Sequence, residues 1–499
     1  MPAERPPLPA RRRLGALVLT AALASGCTAG TPGPSVGPST GPSTAVTPPP
    51  RPFTVATTEP PQSFDPAASQ TGADAIVALN VFQRLMRVHP DSGDLKPDAA
   101  DCMFNTPTTY RCTLTKDLTF SNGNPLTASD VKFSIDRAYR LNVPRSSIRL
   151  FGSLQRVDVV DDLTVEFVLR WHDGQIGHAL ATPAASIVDE QVYDPDNVRP
   201  TTSAPVGSGP FRLDLAEVTG LTFLRNEDYV GATPAALDQV RLAHLPHSAA
   251  AEQAMVDGTV DVVWRSLDAA ALGRLASGVT KAAFTRTDLP DARLERLVWN
   301  PASALRARAD VRTAVAQALQ ADRTLTSLVP PTLDGSVPSF PVGGRPTVAP
   351  VAGKRPILTL AYASTAPGQG DLARLLRDRL ESNASLSVKL VADATDADLI
   401  LTDRAAWVNT PLGWLQSYLD DPLPASADKV TQLSEAARQT DDKVLRASLL
   451  SEIQQQAATD ATVVPISLGP ETLFVAEDVT VGQHAFGPCW QLGLWGFAR

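Results

Sequence analysis

Aromatic side chains make up only 6% of this 499-residue chain, and it has four Cys, four Met and six His. The histidines offer one close pair, His244 and His247, and the intervening Pro246 argues against a helix presenting both to a metal. Beyond the N-terminal stretch there is no apolar run of about 18 residues or more, which excludes a polytopic membrane protein. A basic excess is also missing: 44 Lys plus Arg stand against 53 Asp plus Glu, a net charge of −9. Such a surface repels phosphate backbones, and no basic stripe with interleaved aromatics is present, so nucleic-acid binding is excluded. From Phe53 onward there is no G-x-S-x-G elbow, no Walker A loop, no H-E-x-x-H and no Cys-x-x-Cys. No catalytic constellation, metal set or cofactor motif emerges. Carboxylate pairs such as Asp161-Asp162 and Asp441-Asp442 occur where turns and helix starts are expected.

The length fits two or three structural units, and the 43% apolar content can fill their cores. Residues 1–26 read as an address. Arg11, Arg12 and Arg13 precede a short apolar run, Leu14 to Leu23, too short to span a bilayer and laid out like a secretory signal. The small residues Ala24-Ser25-Gly26 lead into Cys27 and resemble a bacterial lipobox, although Ala24 stands where Leu is usual. That resemblance implies cleavage before Cys27 and a diacylglyceryl group on its sulfur. The alternative is an ordinary signal peptide with a chance cysteine, and the arginines loosely resemble a twin-arginine signal. Removing 1–26 leaves 40 basic and 52 acidic side chains, a net charge of −12. From Thr28 to Pro52, 20 of 25 residues are Pro, Ser, Thr or Gly, so 27–52 is expected to be a disordered tether.

Three cysteines remain. Cys102 and Cys112 flank the turn signal Asn105-Thr106-Pro107-Thr108 between strand-like runs, and an exported hairpin there would carry a disulfide. Two buried thiols are the alternative. Cys489 reads as a packed core residue.

The body alternates strands with helices, which indicates an α/β or α+β arrangement. FTVAT from Phe53 is a strand, and ADAIVALNVFQRLMRV has helical spacing. YRCTLTKDLTF alternates like a half-buried strand before the turn SNGNP, and Thr127-Ala128-Ser129-Asp130 forms a capping box opening a helix. RVDVVDD and TVEFVLRW read as a hairpin. Gly258 before Val260-Asp261-Val262-Val263 signals a helix stop and then a buried strand. The glycines at 207 and 209 suit positive φ or a tight crossing. ILTLAY, a helix with Leu372, Leu375, Leu376 and Leu380, ADLILT, and a long helical stretch from Lys429 to Ala458 form a second α/β unit.

Several segments then fall in one order. LKPDAAD…YRCTLTKDLTFSNGNPLTASDVKFSIDRA is followed by Ala204-Pro205-Val206-Gly207-Ser208-Gly209-Pro210-Phe211, LRNEDYVG and PAALDQVRL. AMVDGTVDVV, Leu297-Val298-Trp299-Asn300-Pro301 with RADVRTAVAQALQADR, and SEIQQQAATDATVVPISL complete the series. Together they resemble family 5 of the bacterial extracytoplasmic solute-binding proteins, the oligopeptide- and dipeptide-binding lipoproteins of ABC transporters. The resemblance covers most of residues 53–470. It implies an α/β, two-lobed periplasmic-binding-protein-like fold of type II, the large class with an extra subdomain in lobe I, joined by crossing strands. Lobe I would comprise 53–298 and 463–499, with the extra subdomain at about 86–200, and lobe II 299–462. Leu297–Asn300 and Val463–Ile466 would mark the crossing.

The function implied is capture of a small peptide or peptide-like ligand by interlobe closure, for the permease subunits of an importer. The protein would be held by its lipid at the outer face of the cytoplasmic membrane, with no enzymatic activity and no cofactor. Thr57, Thr58 and Glu59 resemble the segment that hydrogen-bonds the ligand backbone. Gly413-Trp414-Leu415-Gln416-Ser417-Tyr418-Leu419-Asp420-Asp421 resembles the Gly-Trp segment whose Asp, three residues after Trp, holds a peptide's α-ammonium. Here Ser417 occupies that place. Asp420 and Asp421 lie nearby, or Trp407 is the true equivalent, with no acidic residue at the matching place. Trp414 and Tyr418 would be ligand contacts or ordinary core. The departure implies weak dependence on a free amino terminus. Rival readings are a cell-envelope accessory or sensory lipoprotein of the same fold, a binder of non-peptide solutes such as oligosaccharides, and an enzyme of unknown type.

Cys27→Ser should move the exported protein from the membrane to the soluble fraction, because a diacyl anchor holds stably where a single chain does not. Equal membrane retention of the variant on fractionation would refute lipid attachment.

Overall fold

A computed structural model describes residues 51–90, 92–340 and 355–499. The signal, Cys27 and nearly all of the tether lie outside these residues. The folded body is built on one ten-stranded mixed sheet, ordered 387–392, 357–362, 399–402, 284–299, 463–476, 262–264, 53–57, 239–244, 220–225 and 211–217. Two strands are far longer than the rest, Phe284–Trp299 and Val463–Ala476. They pair antiparallel and run through both halves of the sheet, so they join the two lobes.

On the first-lobe side, Phe53–Thr57 pairs parallel with Gln239–His244 and with Val262–Trp264. On the second-lobe side, Ile357–Tyr362 pairs parallel with Ser387–Ala392 and with Leu399–Thr402. Each lobe has its own core. Phe211, Phe223, Val240 and Trp264 belong to one, and Leu297, Trp299, Leu358 and Leu376 to the other. Each of these fully buried side chains contributes roughly 1.5–3 kcal/mol through removal from water.

A separate four-stranded antiparallel sheet, in the order Ala100–Thr106, Thr109–Leu114, Thr164–Leu169 and Leu154–Asp161, packs under the helix Ala128–Leu141. Thr127 and Asp130 form the capping box that starts this helix. Cys102 and Cys112 face each other in register and are disulfide-bonded. A buried bidentate pair ties the helix to the loop after the first strand. Arg137 donates Nη1 to Asp65 Oδ1 at 2.9 Å and Nη2 to Asp65 Oδ2 at 2.5 Å. Removing either partner of such a pair strands a buried charge, a loss of about 3–5 kcal/mol.

Three expectations need correction. The helix from Ala73 ends at Val81, and Met86–Val88 is a strand paired with Leu95–Pro97. The stretch 429–458 is two helices, Ala427–Gln439 and Lys443–Asp460, separated where Asp442 caps the second. Leu297–Trp299 does pair with the segment starting at Val463, but inside the second lobe. The crossing itself is the irregular stretch between the pairs Leu289–Glu471 and Arg293–Gly469. His247 caps the helix Ser248–Val256 through Nδ1, and His244 ends a strand. Among the described residues no group of three or more His, Cys, Asp or Glu could hold a metal, and no helix is long and apolar enough to cross a membrane.

Gly207 and Gly209 are required by close approach rather than by positive φ. A Cβ on Gly207 would stand 2.2 Å from the Val81 carbonyl oxygen, and one on Gly209 2.6 Å from Val81 C. The backbone crosses the end of the helix there, with Gly209 N donating to Val81 O at 2.9 Å. Gly207→Ala should therefore lower the unfolding free energy by about 2 kcal/mol or more, the scale of overpacking a rigid core. Gly152→Ala, with nothing near its Cβ and an ordinary helical φ, should change it by less than about 0.5 kcal/mol in denaturant titration. Equal effects would contradict the close crossing.

Candidate functional site

In an open α/β sheet, side chains just past the carboxyl ends of parallel strands face the crevice where ligands bind. Three such segments converge here. Phe53–Thr57 delivers Thr57, Thr58 and Glu59; Val262–Trp264 delivers Arg265 and Ser266; Leu399–Thr402 delivers the loop Asp403–Asn409. Thr58 N donates to Ser266 Oγ at 3.0 Å, and Glu59 N donates to Thr57 Oγ1 at 3.1 Å, which fixes the first two segments together. The Thr58 hydroxyl is buried with no hydrogen-bond partner among the described residues.

A charge network stitches the lobes at the crossing. Arg265 of the first lobe donates Nη2 to Asp403 of the second at 2.7 Å and Nη1 to Glu471 on the long strand at 2.8 Å. Arg293, on the other long strand, donates Nε to the same Asp403 oxygen at 2.9 Å. Burial alone would raise the Asp403 carboxyl, but Arg265 and Arg293 outweigh it and bring it down to about 2. Burial likewise lowers Arg265, and Glu471, Asp403 and Glu59 reverse that, so its guanidinium stays charged.

Glu59 behaves oppositely. Burial pushes its carboxyl up to about 7, Arg265 pulls it down, and Asp403, Asp74 and Glu471 add to the rise. Across the seam Arg404 is a cation with no carboxylate at ion-pair distance among the described residues. Burial, with Arg145 and Arg296 nearby, lowers it to about 9. Its guanidinium lies 5.1 Å from the Trp407 ring centre and 5.6 Å from that of Trp490. Trp407 and Trp490 meet edge to face at 4.9 Å. Arg404 Nη2 and Trp407 Nε1 both donate to the carbonyl of Arg145, which follows the helix of the extra subdomain. A second bridge forms where Arg438 Nη1 donates to Leu150 O at 3.1 Å and to Asp173 Oδ2 at 3.2 Å.

Thr57, Thr58 and Glu59 are thus brought to the seam. Trp414 and Tyr418 are fully buried in the second lobe's core; Trp414 Nε1 donates to Asn409 Oδ1, and the Tyr418 hydroxyl donates to Asp460 Oδ2. Ser417 shares their helix, Pro411–Leu419, and its hydroxyl has no partner among the described residues. Asp420 caps that helix and accepts from Gln416 Nε2 at 2.7 Å, within electrostatic reach of Arg404. Asp421 lies 4.0 Å from Arg306, whose Nη2 also donates to the Asp421 carbonyl at 2.6 Å. Trp407, rather than Trp414, is the tryptophan at the seam. Arg265, Asp403, Arg404 and Trp490 are additions from the structure. The first three each lie one or two residues past a strand end, a signal the sequence does carry.

A profile described as "Bacterial extracellular solute-binding proteins, family 5 Middle" matches residues 96–350. Among curated proteins, the chain is 26% identical over 266 residues to the probable D,D-dipeptide-binding periplasmic protein DdpA of Escherichia coli K12, which covers 51% of this chain and 50% of that protein. The chain thus spans about half the length of that curated relative in alignment. Among solved structures, a dipeptide-binding protein of Pseudoalteromonas sp. SM9913, in complex with Met-Leu, superposes with a TM-score of 0.75 at 17% identity, covering 90% of this chain and 99% of that one. The binding protein AgaA of A. tumefaciens R10, in complex with agropinic acid, gives 0.76 at 18% identity, covering 89% and 98%. These structural likenesses establish the two-lobed fold.

Glu59 ties stability to pH. Its carboxyl is raised in the fold above the ordinary value of 4.5, so folding takes up protons between about pH 4.5 and 7 and stability falls as pH rises through that window. Glu59→Gln should exceed the wild type at pH 8 by up to roughly 3 kcal/mol, with the margin shrinking toward zero near pH 4. Chemical denaturation at both pH values checks this, and a pH-independent margin would contradict it.

Proposed function

The chain belongs to the bacterial extracellular solute-binding proteins of family 5, and from that membership and its charged seam we propose that it captures a small peptide or peptide-like solute by closure of its lobes. Delivery would be to the permease subunits of an ABC importer, with the lipid on Cys27 keeping the body at the outer face of the membrane. The observation that carries the reading is the placement of Glu59 on one lobe and Arg404 on the other along one seam, each half-buried, each within electrostatic reach of Asp74 and, among the described residues, neither in an ion pair. A zwitterionic ligand supplies the complement to both: its ammonium meets the Glu59 carboxylate, and its carboxylate meets the Arg404 fork. Charge-assisted hydrogen bonds of this type are about twice as strong as neutral ones.

This reading modifies the expectation drawn from Ser417. An amine anchor is available on the first lobe at Glu59, so the lack of an Asp three residues after Trp414 does not remove dependence on a free amino terminus. The relative DdpA is described as binding D,D-dipeptides, and one similar structure holds Met-Leu. Both support a ligand of dipeptide size. The agropinic acid complex shows that an equally similar fold serves a non-peptide solute, which keeps that class as the second reading.

Calorimetry and small-angle scattering with a dipeptide, its N-acetylated form and its C-terminal amide test the proposal. Binding should contract the scattering radius, and saturation at a hundred times Kd should add about 2.7 kcal/mol to stability. Either blocking group should weaken binding by about tenfold or more, and Arg404→Ala should abolish the penalty for amidation alone. Binding without contraction, or indifference to both blocking groups, would overturn it.

A further inference from the structure

One short segment of the first lobe, Arg145 to Phe151, takes contacts from three different parts of the second. At its start the Arg145 carbonyl receives Arg404 Nη2 and Trp407 Nε1. In its middle Arg149 lies within electrostatic reach of Asp420. At its end the Leu150 carbonyl receives Arg438 Nη1 at 3.1 Å, and the same nitrogen reaches Asp173 Oδ2 at 3.2 Å. Arg438 sits in the last turn of the helix Ala427–Gln439. Its own carbonyl is among the last four of that helix, which find no partner inside the helix. That carbonyl accepts from Gly174 N at 3.1 Å. Arg438 thus docks in both directions, giving a side-chain donor to the first lobe and taking a backbone donor from it. The receiving half is already built. Ser147, Ile148, Leu150 and Phe151 are buried, Ala184 N donates to Ser147 Oγ at 2.9 Å, and the Tyr139 hydroxyl donates to the Phe151 carbonyl. Asp173 is 0% exposed and holds Ser153 Oγ at 2.6 Å and Gln175 N at 2.9 Å, both from its own lobe.

We propose that Arg438 and the loop Asp173–Gly174 form a closure latch, a contact that favours the joined lobes whether or not a solute is present. The contact is releasable. When Arg438 withdraws, Asp173 keeps the Ser153 hydroxyl and the Gln175 N–H and gains water, so opening strands no bare buried charge. The two ends of the segment differ in a way that assigns the latch to Arg438. At the first end the Arg145 guanidinium works against Arg404, whereas at the second a carboxylate stands opposite the cation. None of the latch groups is among Glu59, Arg265, Asp403, Arg404, Trp407 and Trp490, so the latch sets how readily the lobes close without choosing the solute. A bias of that kind changes the closing step that all solutes share, and it scales every affinity by the same factor. The segment Arg145 to Phe151 links the latch to the seam, because it also presents the carbonyl that Arg404 and Trp407 reach.

The inference rests on the capture reading for its use, but its first tests need no solute. In the unliganded full chain, Arg438→Gln should enlarge the scattering radius and speed hydrogen exchange at the Gly174 amide by about tenfold, the scale of one charge-assisted hydrogen bond. The substitution leaves the 438 carbonyl in place, so exchange at Gly174 reports docking itself. Arg374→Gln, which breaks an exposed pair with Asp371 in the second lobe, should change neither quantity. In calorimetry Arg438→Gln should weaken the free, N-acetylated and amidated dipeptides by one common factor, about tenfold, with their ranking intact. Arg438→Lys, which keeps a cation opposite Asp173, should recover part of the loss. A radius or a Gly174 exchange rate equal to that of the wild type in Arg438→Gln would overturn the latch. A changed ranking of the three dipeptides would also overturn it, since Arg438 would then be choosing the solute. A dipeptide that fails to bind sinks the capture reading and leaves the unliganded measurements to judge the latch.

Discussion

Everything that joins the lobes depends on one pair of strands and the place where their ladder breaks. Phe284–Trp299 and Val463–Ala476 pair on both sides of Leu289–Arg293, with a smaller register shift between Glu295 and Arg296, and lose their pairing between Leu289 and Arg293. Pro290, Asp291 and Ala292 stand against the single residue Pro470. Each proline removes a backbone donor, and Asp291 adopts a left-handed φ of 54° that an ordinary strand excludes. With the ladder interrupted, relative rotation of the lobes needs no rupture of sheet hydrogen bonds. What fills the interruption is charge: Arg265, Arg293, Asp403 and Glu471, each on a different segment.

That network also explains why two carboxylates in one crevice titrate apart. Asp403 receives both arginines at hydrogen-bond distance, and the direct contacts exceed its desolvation. Glu59 has only the longer-range field of Arg265, already balanced by Asp403 and Glu471, so burial decides. Interactions of this kind fall off with distance and effective dielectric, and a few ångströms separate a structural ion pair from a group poised near neutrality. The same crevice thereby holds one carboxylate committed to the fold and one poised near neutrality.

Local chemistry was legible in the sequence, and long-range chemistry was not. The Thr127 capping box, the stop at Gly258 and the facing cysteines are set by neighbours within a dozen residues, and they appear as read. The apolar spacing that runs past Val81 into Leu85 and Met86 is equally compatible with helix, but Phe82 turns extended at φ −121° so that Met86–Val88 can pair with Leu95–Pro97. Tertiary pairing overrides periodicity there. The core position of Trp414, one of the two alternatives the sequence left open, has a physical cause as well. Gly413 precedes Trp414 because a Cβ at 413 would stand 2.2 Å from the Val408 carbonyl oxygen, so that Gly-Trp pair reports close packing under the loop. Arg265 and Asp403 are 138 residues apart and Arg265 and Glu471 206, which no local pattern links. Only the rule that crevices form past the carboxyl ends of parallel strands would have drawn them together.

The direct contacts across the seam are few. Among the described residues they include the Arg265–Asp403 pair, two donors on the Arg145 carbonyl, the Arg438 contacts with Leu150 and Asp173, and Gly174 N donating to the Arg438 carbonyl. Each exchanges a bond to water for a bond within the protein, for a net gain of about 1 kcal/mol, or somewhat more where a charge is involved. Bringing Arg404 toward Arg145 and Arg296 sets like charges and desolvation against that gain, as its lowered proton affinity records. The two sides oppose each other, so a solute's own contacts weigh in the balance between arrangements. A solute shifts such an equilibrium only by the difference in its contacts with the two arrangements, about 5.5 kcal/mol for a swing from one part in a hundred to its inverse. Glu59 lies on the first lobe, and Arg404 and Trp407 on the second. A ligand touching both sets gains its full complement of bonds only when the lobes are together, and that differential is what makes closure report occupancy.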